Sequence, residues 1–140
     1  MSTMEVALVV NDLSRSEKFY RELFGFDRVG EFTTAINSAV ALSRDGSVLK
    51  LIQYQESPDQ HNPPGRAYGL RFLTLEVPDL EHAVTRCREF GATIDGVPAR
   101  FQPVNSTPRQ SGEDVSCWYV FVLDPDGNRI EVRAGSPWAH

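Results

Sequence analysis

The side chains best suited to metal binding or nucleophilic attack in this chain are three histidines and two cysteines. Their placement argues against both uses. His61 lies in a proline- and glycine-rich stretch, His82 on the surface of a helix, and His140 is the final residue. Cys87 and Cys117 fall in different elements and form no C-x-x-C pair, so neither a zinc cage nor a disulfide framework is indicated. Cys87 sits on the buried stripe of a helix, where a thiol acts as a small apolar group. Cys117 precedes Trp118 on a strand without a histidine nearby in sequence. Serines and aspartates are accounted for as caps and turns. Glycines fall at helix ends and hairpins, which leaves no phosphate-binding loop. What remains for chemistry is carboxylates, which can move protons when two of them flank a substrate.

Those residues must be positioned by elements, and the elements repeat. Val10-Asn11-Asp12-Leu13 recurs as Val77-Pro78-Asp79-Leu80, each time ending an apolar run and opening a helix. Asp45-Gly46 recurs as Asp126-Gly127, each time between two apolar runs, as a hairpin turn would. The second match is displaced further than the first, which locates an insertion in the second copy within residues 97–116. In the first copy, residues 5–10 read as a strand with Glu5, Ala7 and Val9 on one face and Val6, Leu8 and Val10 on the other. Asp12 or Ser14 then caps a helix, and Ser14-Arg15-Ser16-Glu17 fits a capping box. Ser16, Phe19, Tyr20 and Leu23 follow helical spacing, and Gly25 stops the helix. Short strands follow near residues 28–32, 38–42 and 48–54.

The second copy has a strand over residues 70–77 and a helix capped by Asp79, with the stripe Leu80, Ala83, Val84 and Cys87 and a stop at Gly91. Later strands fall near residues 118–123 and 128–133. Residues 55–69 read as a linker. The organisation is therefore module one at about residues 4–55, the linker at about 55–69 and module two at about 70–134, within one 140-residue domain. A unit of this size is marginal alone, so two packed copies are expected. The fold class is α+β, two βαβββ modules forming a curved mixed sheet around a central cavity.

Composition narrows the partners. The net charge is −5 and no Lys/Arg cluster stands out, so nucleic acid and anionic membrane are poor fits. No apolar run approaches the roughly 20 residues a membrane helix needs. The N-terminus has no basic region of the secretory type, and the expected compartment is the cytosol.

The motifs together resemble the vicinal oxygen chelate superfamily, the glyoxalase, bleomycin-resistance and extradiol dioxygenase group. The resemblance rests on residues 6–13 with Phe19-Tyr20 and Leu23-Phe24-Gly25-Phe26, on residues 75–80, and on Phe121-Val122-Leu123-Asp124-Pro125-Asp126-Gly127-Asn128-Arg129-Ile130-Glu131. It implies a divalent metal held by His, Gln or Glu from the first and last strand of each module. Those positions fall on Glu5, Lys50, Phe72 and Glu131. Phe72 has no donor atom and Lys50 carries a positive charge, so the complete metal site is not expected, although Glu5 and Glu131 remain as oxygen ligands for a divalent metal. The resemblance further implies that Glu5, Lys50 and Glu131 meet at the floor of the cavity, as candidate catalytic residues. Lys50 reaching solvent and pairing on the surface is the alternative.

By alternation the cavity face also carries Ala7, Val9, Thr74, Glu76, Val48, Ile52, Tyr54, Arg129 and Arg133. The inserted loop, residues 101–112, is either a lid contributing Phe101 and Arg109 or a surface excursion. Trp118 and Tyr119 point to opposite faces, one to the pocket and one to the core. The candidate ligand-binding residues are Phe72, Thr74, Tyr54, Phe101, Arg109, Trp118 and Arg129, and aromatics of this kind suit flat organic molecules. Two functions compete: a protein that binds a small organic molecule without metal or turnover, and a glyoxalase-like lyase, isomerase or dioxygenase using Glu5 and Glu131. A third reading, a partner protein with no ligand, predicts a pocket filled by its own side chains. The resemblance also implies homodimers.

Overall fold

The computed structural model describes residues 4–101 and 117–136. The chain divides into two compact units, Met1–Pro63 and Pro64–His140. The first contains β1 (Glu5–Val9), α1 (Leu13–Phe24), β2 (Asp27–Thr33), β3 (Asn37–Arg44) and β4 (Ser47–Tyr54). The second contains β5 (Phe72–Val77), α2 (Leu80–Phe90), β6 (Thr93–Phe101), β7 (Cys117–Leu123) and β8 (Arg129–Ala134). Each module has its own four-stranded mixed sheet, ordered β1-β4-β3-β2 and β5-β8-β7-β6. In both, the first strand pairs parallel with the last, and the other pairings are antiparallel.

Side-chain alternation explains why one helix suffices for each sheet. In module one, Val40, Leu42, Leu49 and Leu51 lie on one face and are at most 3% exposed. The stripe of α1 meets this face, with Ser16, Phe19, Tyr20 and Leu23 all buried. In module two, Val120, Val122, Ile130 and Val132 make the matching face. There α2 contributes Leu80, Val84 and Cys87. Burial pushes the Cys87 thiol up from its ordinary pKa and keeps it protonated, as befits a packing residue.

The helix ends show which local signals act. Asp12 caps α1, its Oδ1 accepting from the Arg15 amide at 3.1 Å. The capping box starting at Ser14 does not form, because Ser14 already lies inside the helix and Glu17 pairs with Arg21 and Arg28 instead. Asp79 caps α2 in the same way, accepting from the His82 amide at 3.0 Å. Gly25 and Gly91 end the helices at φ 70° and 88°, the left-handed region where a Cβ is penalised. The Leu13 amide donates to the Gln53 side chain at 2.8 Å, tying the start of α1 to β4.

The expected insertion takes a more specific form. β6, which the sequence pattern did not distinguish from a loop, runs as far as Phe101 and pairs with β7. Its register shifts between Asp95 and Ala99, where Gly96 has φ 96°. β2 shifts at the corresponding place, between Arg28 and Gly30. Bulges of this kind re-aim an edge strand without ending it. Strand β5 starts at Phe72, not Leu70, which is 81% exposed. The rest of the inserted loop, Arg109 included, lies outside the described residues.

The two Asp-Gly pairs close different turns. Asp45-Gly46 is a two-residue hairpin with both φ angles positive, 50° and 84°. The loop around Asp126-Gly127 is longer and is organised by Asp124, which is 5% exposed. Its Oδ1 accepts from the amides of Asp126 at 2.9 Å and Asn128 at 2.8 Å. Its Oδ2 accepts from the Asn128 side chain at 3.0 Å. Asp124→Ala leaves these part-buried donors without their acceptor and is expected to destabilise the protein by about 1–3 kcal/mol. A shift in urea midpoint with unchanged slope is the measurement. A loss below about 0.3 kcal/mol would show that the loop holds itself without the carboxylate.

Candidate functional site

The sheet faces turned away from the helices carry the chemistry. In module one, β1 and β4 pair with Ala7 opposite Lys50 and Glu5 opposite Val48, so Lys50 is diagonal to Glu5 on one face. Lys50 Nζ lies 3.1 Å from Glu5 Oε2, with the side chains 35% and 47% exposed. A pair this wet contributes on the order of 0–1 kcal/mol to stability. Its consequence is chemical: each group satisfies much of the other's charge. Tyr54 ends the same face of β4, two residues beyond Ile52.

Module two builds an aromatic cavity of about 420 Å³ on the corresponding face. Its walls come from Phe72 and Thr74 on β5, Tyr119 and Phe121 on β7, Glu131 and Arg133 on β8, and Phe101 at the end of β6. Cys117 closes it from β7. Register explains the grouping. Thr74 stands opposite Glu131, Glu131 opposite Phe121, Arg133 opposite Tyr119, and Cys117 opposite Phe101. The four rings form a chain of edge-to-face contacts: Phe72 to Phe121 at 5.2 Å, Phe121 to Tyr119 at 6.0 Å, and Tyr119 to Phe101 at 6.4 Å. Such pairs favour each other through the positive edge and negative face of the ring.

Charge on this face is largely matched. Arg129 places its guanidinium carbon 3.7 Å from the centre of the Phe121 ring, and its Nε lies 3.4 Å from Asp95 Oδ2. Arg133 Nη2 lies 4.0 Å from Glu76 Oε2. Glu131 accepts a hydrogen bond from the Thr74 hydroxyl at 3.3 Å. Cys117 is 2% exposed, and burial is the main cause that pushes its thiol up, which disfavours the thiolate.

The candidates from sequence can be placed within each module. Phe72, Thr74, Phe101 and Glu131 share the cavity, and Arg129 backs it through Phe121. Glu5 and Lys50 are brought together in module one. Trp118 is on the other face: it stands opposite Ala134 and lines a groove with Leu80, Val84 and Pro98 beside α2. Tyr119 takes the cavity position instead. Arg109 is outside the described residues. The sequence reading placed neither Phe121 nor Cys117 in the cavity, although both share strand parity with Tyr119.

The four positions implied as metal ligands can now be tested by their donors. Phe72 is a hydrocarbon in the aromatic chain, and Lys50 spends its ammonium on Glu5. The set does not fit a site made from His, Gln and Glu. Among the described residues no group of three or more His, Cys, Asp and Glu is gathered closely enough to hold a metal ion. No helix of the described residues is long and apolar enough to cross a membrane.

Repeat, topology and register define a two-module α+β protein of the glyoxalase type. Residues 4–132 match the model of the Glyoxalase/Bleomycin resistance protein/Dioxygenase superfamily, and the chain belongs to that family. Among solved structures it is similar to a glyoxylase/bleomycin resistance protein/dioxygenase domain from Frankia sp. EAN1pec, with 19% identity, coverage of 96% of this chain and 92% of that one, and a TM-score of 0.73. It is also similar to the trypanothione-dependent glyoxalase I of Leishmania major, at 25% identity, 94% and 85% coverage and a TM-score of 0.66. A third similar structure is the fosfomycin resistance protein of Listeria monocytogenes, complexed with Mn(II) and sulfate, at 12% identity, 96% and 93% coverage and a TM-score of 0.65. No curated protein matches the chain.

Proposed function

We propose that this protein binds a small, flat organic molecule in the cavity of module two and does so without the divalent metal that some relatives hold. One observation carries the reading. The position that the family resemblance assigns to a metal ligand on β5 is Phe72, and Phe72 belongs to a four-ring wall around a cavity of about 420 Å³. That volume lies within the range of small-molecule sites, and rings with few polar groups are their usual lining. The ion pair between Lys50 and Glu5 supports the same reading, because an ammonium at a ligand position repels a cation.

Glu131 favours a second reading, a lyase, isomerase or dioxygenase of the glyoxalase kind. It is a carboxylate in an apolar cavity, able to take a proton from a bound substrate. The two readings separate on two measurements. The binder is expected to carry well under one metal ion per chain and to keep its melting temperature after dialysis against a chelator. Stoichiometric metal whose removal lowers the melting temperature would overturn the metal-free reading. Glu131→Gln abolishes turnover in an enzyme and leaves a binder of uncharged ligands with its affinity.

A further inference from the structure

One carboxylate of the cavity, Glu131, is not drawn to a cation of its own module, and that selects a ligand. Among the described residues, each arginine on this face has an acidic partner: Asp95 for Arg129 and Glu76 for Arg133. Within module two, Glu131 has no cationic partner among the described residues within 4.0 Å. Its polar contact is the neutral hydroxyl of Thr74, at 3.3 Å. An ionised carboxylate on the wall of an aromatic cavity gains from a positive partner, and it loses water when a ligand enters. The rings add to this preference, since the face of a benzene or phenol ring attracts cations. One ring of the cavity wall already makes such a contact from behind, with the Arg129 guanidinium over Phe121.

We infer that module two selects organic cations: flat molecules carrying a protonated or quaternary nitrogen, with the charge set against Glu131 and the ring system against Phe72 and Tyr119. This rests on the proposal that the cavity is a ligand site and adds the ligand's charge. A neutral molecule of the same shape makes the ring contacts and leaves Glu131 facing an apolar surface. An anion is repelled by Glu131, although Arg133, whose Nη2 lies 4.0 Å from Glu76, lines the same cavity.

Three probes of one shape test the inference by calorimetric titration: 1-methylquinolinium, neutral 1-methylnaphthalene and anionic 1-naphthoate. The cation is expected to bind at least about tenfold more tightly than the neutral probe, and the anion most weakly. In Glu131→Gln the ratio of cation to neutral affinity should fall to within about twofold. Equal binding of cation and neutral probe, a preference for naphthoate, or a cation preference that survives Glu131→Gln would each overturn the charge inference and leave the ligand site standing. Failure of all three probes to bind would overturn both. Phe72→Ala, expected to weaken all three probes together, shows that the binding measured is in this cavity.

Discussion

Replacing Phe19 with alanine should cost module one about 3–5 kcal/mol, the usual loss for truncating a fully buried aromatic. Phe19 is 1% exposed and stands at the centre of the α1 stripe. Its ring meets Tyr20 at 5.0 Å and Phe24 at 5.7 Å, both edge-to-face. Tyr20 is fully buried and continues the cluster to Phe26 at 5.9 Å. Deleting the ring removes transfer free energy, leaves a cavity and breaks two aromatic contacts. A module of this size has little stability to spare, so the loss is large relative to the whole. Phe19→Leu keeps most of the volume and should cost less, about 1–1.5 kcal/mol. Urea unfolding by circular dichroism compares the two. Amide exchange should show faster opening at β3 and β4, whose faces the cluster covers. A loss below about 1 kcal/mol for the alanine variant would mean that α1 is not seated by this residue.

This packing was legible in the sequence because two periods coexist in each module. Ser16, Phe19, Tyr20 and Leu23 mark the helix face, and the alternating strands mark the face it meets. The glycine stops and the Asp12 and Asp79 caps are local chemistry, so they too could be read directly. The Ser14 capping box illustrates the limit. Two cap signals overlapped, and Glu17, the acidic member of the box, pairs at 2.9 Å with Arg28, a residue of β2. Only the fold brings that partner near. β6 was hidden for a related reason: its bulge at Gly96 breaks the period of two.

The site was half legible. Thr74 follows from parity along β5, and Phe72 and Glu131 from the positions that the family resemblance implies on β5 and β8. Trp118 was named because a large aromatic beside an insertion suggests a ligand, yet parity alone places it with Val120 and Val122 on the helix side. The same count would have given Tyr119 and Phe121. What no single-strand count could supply is register: Phe121 matters because it stands opposite Glu131 and beneath Arg129.

Phe121→Ala is therefore expected to have the largest effect of any single change on the cavity. The ring makes three contacts at once: with Phe72 at 5.2 Å, with Tyr119 at 6.0 Å and with the Arg129 guanidinium at 3.7 Å. Each aromatic pair contributes about 0.5–1.5 kcal/mol and the cation contact about 0.5–2 kcal/mol, so a stability loss of about 2–4 kcal/mol is expected. Ligand affinity should fall as well, by about 30-fold or more, because a central aromatic anchor of a binding site typically carries at least about 2 kcal/mol. Titration of 1-methylquinolinium measures the second effect, and urea unfolding the first. Trp118→Ala is the control: the same strand, a larger aromatic, the opposite face. It should leave probe affinity within about twofold, since it removes nothing from the cavity wall. Equal losses of affinity in the two variants would mean that the ligand does not distinguish the faces of β7, and the assignment of the site to Glu131's side of the sheet would fail with it.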